Sequence, residues 1–98
     1  MAIAVICINA KNRPADFPEH LWLTENVEIY HIKSVFRKVH FPGVFGVTLE
    51  ERDLTPIIDK YDCFDHRRFR PATEADLADH ASMEELLESL VEESVPVL

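Results

Sequence analysis

The chain has 98 residues, 47% of them hydrophobic and 29% charged, a balance that suits one globular domain and excludes general disorder. Its net charge of −8 is unevenly placed: all ten Lys and Arg lie in residues 1–73 beside ten Asp and Glu, while residues 74–98 hold eight acidic residues and no basic one. A neutral body with an acidic appendage argues against direct nucleic-acid binding, which needs excess positive charge.

Ala2 to Ile8 (AIAVICI) is apolar and rich in β-branched residues, which predicts a short strand buried on both faces. No basic residue precedes it and Asn9, Lys11, Asn12 and Arg13 cut it off, unlike a signal peptide. No apolar run approaches the roughly 20 residues of a membrane span. A cytoplasmic location is expected by elimination. Cys7 and Cys63, each inside an apolar stretch, read as reduced core thiols.

Asn9 to His20 is rich in Pro, Asn and Asp and reads as a surface loop. Leu21–Trp22–Leu23 is expected to add a short extended piece. Val27 to Val39 predicts a long strand, with Val27 and Ile29 alternating with Glu28 and Tyr30. The Phe41–Pro42–Gly43 corner turns the chain, and Val44 to Leu49 runs back as a hairpin partner. Gly46 inside that strand signals a bulge or a close backbone approach. Pro56 argues against a strand in Glu50 to Lys60, leaving a loop or irregular turn. Tyr61 to Phe64 predicts a short strand, Asp65 caps a single turn through His66–Arg67–Arg68, and Phe69–Arg70–Pro71 closes the body.

Thr73-Glu74-Ala75-Asp76 resembles a weak cap for a short turn anchored by Leu77. Ser82-Met83-Glu84-Glu85 matches the capping box. Met83, Leu86, Leu87, Leu90 and Val91 follow helical spacing in one apolar stripe, with Glu84, Glu85, Glu88 and Glu92 available to the other face. Pro96 ends any helix. The fold expected is mainly β: a small SH3-like barrel over residues 1–73, with residues 74–98 an acidic helical extension of the same domain. The alternative is an α+β sheet with one packed helix.

Four segments also carry a resemblance: the VICI strand with its polar loop, Trp22 through Tyr30-His31-Ile32, a strand ending in Leu49-Glu50-Glu51, and Phe64-Asp65-His66-Arg67-Arg68-Phe69-Arg70-Pro71. Over residues 3–71 the chain resembles a diffuse group of small uncharacterised bacterial, phage or mobile-element proteins expected to form SH3-like barrels. Glu25-Asn26-Val27-Glu28 departs from that group, which would place a Lys/Gly-type tight turn there. The resemblance implies a fold and an accessory-protein setting, and no activity.

Trp22, Tyr30, Tyr61 and Phe41 are the aromatics that could line a peptide groove, set against the core's own need for them. Arg67, Arg68 and Arg70 suit phosphate or carboxylate oxygens, but Asp62, Asp65, Glu50, Glu51 and Asp53 offer an internal salt-bridge network instead. Asp65-His66 beside Cys63 invites an acid–base or thiol reading. Neighbours on an extended strand point to opposite faces, so no catalytic residue is assigned. The histidines at 20, 31, 40, 66 and 80 and the two cysteines show no zinc-like spacing, and Gly43 and Gly46 make no phosphate loop. No metal site, cofactor or membrane contact is expected.

The expected function is that of a non-enzymatic interaction module or accessory protein whose partner is another protein. A first alternative is an acidic decoy that occupies a nucleic-acid-binding protein through the C-terminal helix. A second is a small-ligand binder or enzyme. The helical stripe of Met83, Leu86, Leu87, Leu90 and Val91 packs either on the body or on a partner, including a second copy in a homodimer.

Overall fold

A computed structural model describes residues 3–38, 41–77 and 80–91. Five strands form one antiparallel sheet: β1 (Ile3–Cys7), β2 (Ile29–Arg37), β3 (Phe45–Leu49), β4 (Phe64–Asp65) and β5 (Phe69–Pro71). Their spatial order is β4-β3-β2-β1-β5, so the first strand lies inside the sheet between β2 and the last strand. One α-helix among the described residues, α1 (Met83–Leu90), follows. The architecture is a mainly β sheet with one packed helix, which fits an α+β fold. The expected barrel closure is not found: β4 pairs with β3 and β5 with β1, and the two stand at opposite edges without pairing to each other.

Those two edge strands are nevertheless joined by only a 3₁₀ turn, His66–Arg68. A flat sheet of five strands would hold its edges roughly 19 Å apart at the usual spacing of about 4.8 Å. Three 3₁₀ residues rise only about 6 Å. The sheet must therefore curl. Part of the bend lies in β2, whose pairing with β3 shifts register between Ile32 and Ser34.

That shift also decides which face of β2 is buried. Tyr30 and Ile32 point inward, and after the extra residue Val35 takes over. Ahead of the shift, Ile29 takes the face opposite Tyr30 and Ile32, and Val27 precedes the strand; they are 51% and 78% exposed. In β1 only Ile3, Val5 and Cys7 are buried, while Ala4 and Ile6 are half-exposed, so the strand is not covered on both faces as expected. Leu21 belongs to a 3₁₀ turn, Glu19–Leu21, and not to an extended piece.

Gly46 follows the expectation of a close approach. A Cβ placed there would stand 2.7 Å from the Cys63 Sγ and 2.8 Å from the Phe36 ring. Asp65 caps its turn by accepting the Arg67 backbone N–H at 2.8 Å. Ser82 caps α1 by accepting from the Glu85 N–H at 3.2 Å, and Glu85 reaches back to the Ala81 N–H. Thr73 likewise ties its N–H and hydroxyl to Asp76 ahead of the 3₁₀ turn Glu74–Leu77. Val39 and Pro96 lie outside the described residues.

Met83, Leu86 and Leu87 enter the same core as Val5, Tyr30, Val35, Phe45 and Val47. Leu90 and Val91 pack against it, half-buried. The apolar stripe thus packs on the chain's own body, completely at Met83, Leu86 and Leu87 and partly at Leu90 and Val91. Two polar links hold the helix in place. Arg37 pairs with Glu88, and the buried His66 ring bridges β3 and α1. His66 Nδ1 accepts the Phe45 N–H at 2.9 Å, which leaves the proton on Nε2, 3.2 Å from Glu84.

Candidate functional site

The loop between β1 and β2 is long, polar and yet firmly tied down. The one large apolar residue of its Asn9–His20 stretch, Phe17, is buried against Trp22, Tyr61 and Phe64, with ring centroids 4.9, 5.0 and 5.9 Å away. Around that anchor, side chains take up main-chain groups. Trp22 Nε1 donates to the Ala10 carbonyl at 2.7 Å, and Arg13 donates to the Phe17 carbonyl. Glu25 accepts the Ala10 N–H at 2.7 Å. Asn12 adopts φ 65°, a left-handed conformation that asparagine tolerates better than most residues.

Between this loop and the β4 end of the sheet runs a groove of about 200 Å³, lined by Pro14, Phe17, Trp22, Tyr61, Phe64 and the cation Lys38, among others. Asn12, Asp65 and Arg68 belong both to it and to a neighbouring depression of about 330 Å³ that adds Asn9 and Arg67. Phe17 and Phe64 form the floor, and half-exposed Trp22 and Tyr61 stand as walls. Tyr61 is held upright by donating to Asp16 at 2.6 Å. That bond, with Lys60 at 3.2 Å, holds the Asp16 carboxyl below its ordinary range.

The arginines expected as a cluster separate. Arg68 lies over the Trp22 ring, 4.9 Å from its centroid, and donates to the Asn9 and Lys11 carbonyls at 3.0 and 2.8 Å. Arg67 forks onto Asp65, lowering that carboxyl's pKa chiefly through the side-chain hydrogen bond. Arg70 is exposed on β5, bonded to the Pro71 carbonyl, and lines neither depression. The charge network reaches beyond these arginines: Arg52 takes Glu28, and His31 takes Glu51.

Tyr30 is a correction. It is fully buried, and its hydroxyl accepts from the Thr24 N–H at 2.8 Å and from Arg52 at 3.2 Å, so it is core and not groove. Phe41 is exposed at the β2–β3 turn and lines no described depression. Trp22, Tyr61 and Arg68 stand together at the groove, a combination of the aromatic and arginine candidates that sequence reasoning had kept apart, with Arg67 in the neighbouring depression. Sequence reasoning missed Phe17, Lys38 and Phe64. A lone phenylalanine in an otherwise polar loop was the available signal for the first.

The surroundings of Cys63 disfavour the thiolate. Burial pushes the Cys63 thiol up to about 11, and neither Lys38 nearby nor any other group offsets it. His66 faces Phe45 and Glu84, not the sulfur. Both cysteines are free. At pH 8, alkylation of Cys63 by iodoacetamide is expected to run on the order of 100-fold slower than that of an ordinary thiol, since the thiolate is the nucleophile. Mass-spectrometric labelling rates check this, and a rate equal to that of glutathione would contradict it.

His31 and Glu51 supply a pH dependence of stability. The Glu51 hydrogen bond raises the His31 pKa above its ordinary 6.5. For Glu51, burial alone would raise the pKa, but bonds from the His31 ring and N–H outweigh it and hold the value below the ordinary 4.5. The histidine's contribution is complete below pH 6.5 and fades as pH rises through its folded value; that of Glu51 is complete above 4.5 and fades on acidification. The Tm advantage of the wild type over His31→Gln is therefore expected to be larger at pH 5.5 than at pH 8.5. An advantage that grows with pH would overturn the assignment.

Among the described residues, no helix is long and apolar enough to cross a membrane, and no three His, Cys, Asp or Glu side chains converge as metal ligands. Comparison of the chain with protein-family models, curated proteins and solved structures returned no significant match.

Proposed function

We propose that this chain is a non-enzymatic interaction module of SH3-like type that docks another protein in the groove of Phe17, Trp22, Tyr61 and Phe64. The observation that carries the reading is that groove: an aromatic slot between a pinned loop and a 3₁₀ turn. Loops positioned by a rigid scaffold are common sites of recognition, and a loop already ordered loses less entropy on binding. The SH3-like assignment draws support from β1 sitting between β2 and β5, from the bulged β2 and from the 3₁₀ turn between the edge strands. Two free cysteines suit a reducing, cytoplasmic setting.

The decoy reading has less support. Each glutamate of α1 already has a use within the chain: Glu84 with His66, Glu85 at the cap and Glu88 with Arg37. The test exploits the single tryptophan. A protein captured from an extract of the source cells is purified and titrated against the wild type, Tyr61→Ala and Arg70→Ala. Trp22 emission should shift on binding. Tyr61→Ala should weaken affinity at least tenfold, while Arg70→Ala leaves it intact. Equal binding by all three, with unchanged Trp22 emission, would move the interface elsewhere.

A further inference from the structure

The groove differs in charge from the chain that carries it. Over the whole sequence the net charge is −8. Along the groove and its neighbouring depression, however, the charged residues are Lys38, Arg67, Arg68 and a single carboxylate, Asp65. That carboxylate is occupied, since it forks onto Arg67 and caps the Arg67 N–H. Among the described residues, Arg68 touches only carbonyl oxygens and the Trp22 face. Lys38 Nζ has only the Cys63 sulfur, 3.7 Å away, among the described residues. Two further carboxylates border the groove without lining it: Asp62 lines the depression on the other flank and reaches the Cys63 thiol, and Asp16 is taken up by Tyr61 and Lys60.

Among the described residues, two cations without a carboxylate ion-pair partner therefore flank an aromatic slot. We infer that the groove takes an extended acidic peptide segment, one apolar side chain entering the Phe17/Trp22/Tyr61/Phe64 slot while neighbouring Asp or Glu carboxylates meet Lys38 and Arg68. This rests on the interaction-module reading and specifies its partner. The repulsion from the distant acidic residues is screened beyond about 8 Å at physiological salt, whereas contacts inside the groove are not. Charge complementarity of this kind selects partners and fixes their register.

Single-stranded nucleic acid is the competing polyanion, and the geometry disfavours it. Bases stack on open aromatic faces, and here Arg68 lies over the Trp22 face while Phe17 meets that ring edge-on.

The test is selection of a phage-displayed random dodecapeptide library on the immobilised full-length chain. Recovered peptides should be enriched in Asp and Glu next to a Leu, Ile or aromatic residue. The best of them, fluorescein-labelled, is then titrated by anisotropy. Replacing its acidic residues by Gln or Asn should weaken binding at least tenfold. Lys38→Met should do the same, while Lys33→Met does not, with near-UV circular dichroism confirming that both variants are folded. A dT12 oligonucleotide should neither bind nor compete.

Enrichment of basic or proline-rich peptides, indifference to Lys38→Met, or tighter binding of dT12 would overturn the inference. So would recovery of peptides matching residues 74–98 that drive self-association, measured by sedimentation, because the occupant would then be a second copy. If the purified cellular partner still depends on Tyr61 while the acidic peptide fails to compete with it, the interaction module stands and only its acidic specificity falls.

Discussion

Leu87→Ala is expected to destabilise the fold by about 2–5 kcal/mol, the range for emptying a fully buried leucine site. Leu87 is 0% exposed and belongs to the same core as the strands, although it lies within the acidic extension. Its loss removes the transfer free energy of the side chain and leaves a cavity between α1 and the sheet. Because small domains hold only about 5–15 kcal/mol in total, one substitution in the helix would consume much of the margin of the whole protein. Urea denaturation of wild type and variant, followed by fluorescence of Trp22, measures the difference. Trp22 lies in the groove and not on the helix, so a parallel shift of its transition also shows that helix and sheet unfold together. A change below about 0.5 kcal/mol, the usual surface effect, would mean that α1 is a dispensable arm.

Gly46→Ala is the second large effect, and it arises from excess volume. The new methyl would meet the Cys63 sulfur and the Phe36 ring, both closer than 3.0 Å, near the start of β3. Overpacking of this kind costs about 1–3 kcal/mol, and Gly46→Val should cost more. A double variant provides the decisive check. Cys63→Ala removes the Sγ, the nearer obstacle, so Gly46→Ala should be less harmful in that background than in the wild type. Strict additivity of the two substitutions would show that Cys63 is not what the glycine accommodates.

Where the determinants are local, they could be read along the chain. The Asp65 cap, the Ser82 box and the β2–β3 hairpin each depend on residues a few positions apart, and each is present. The inward face of β2 was not legible, because one extra residue between Ile32 and Ser34 exchanges the two faces, and no side chain there announces it. The groove was legible only in part. Trp22, Tyr61 and Arg68 carry recognisable binding chemistry, but Phe17, Lys38 and Phe64 join them only through the long-range path of the sheet. His66 is the clearest loss: next to Asp65 and near Cys63 it suggested acid–base chemistry. Its ring instead serves a main-chain amide 21 residues away, a partner that no local pattern could reveal.

The place of β1 inside the sheet bears on how the chain avoids aggregation. Its IAVIC strand carries no charge and no proline, the composition that recruits further strands when an edge is bare. One flank is covered by β2, but the other waits for β5, which begins at Phe69 and is synthesised more than 60 residues later. A ribosome-bound or truncated chain ending before Phe69 would present that flank unprotected. In the finished protein the outermost strand contains the charge of Arg70 and the missing amide of Pro71, two features that discourage another chain from adding to the sheet.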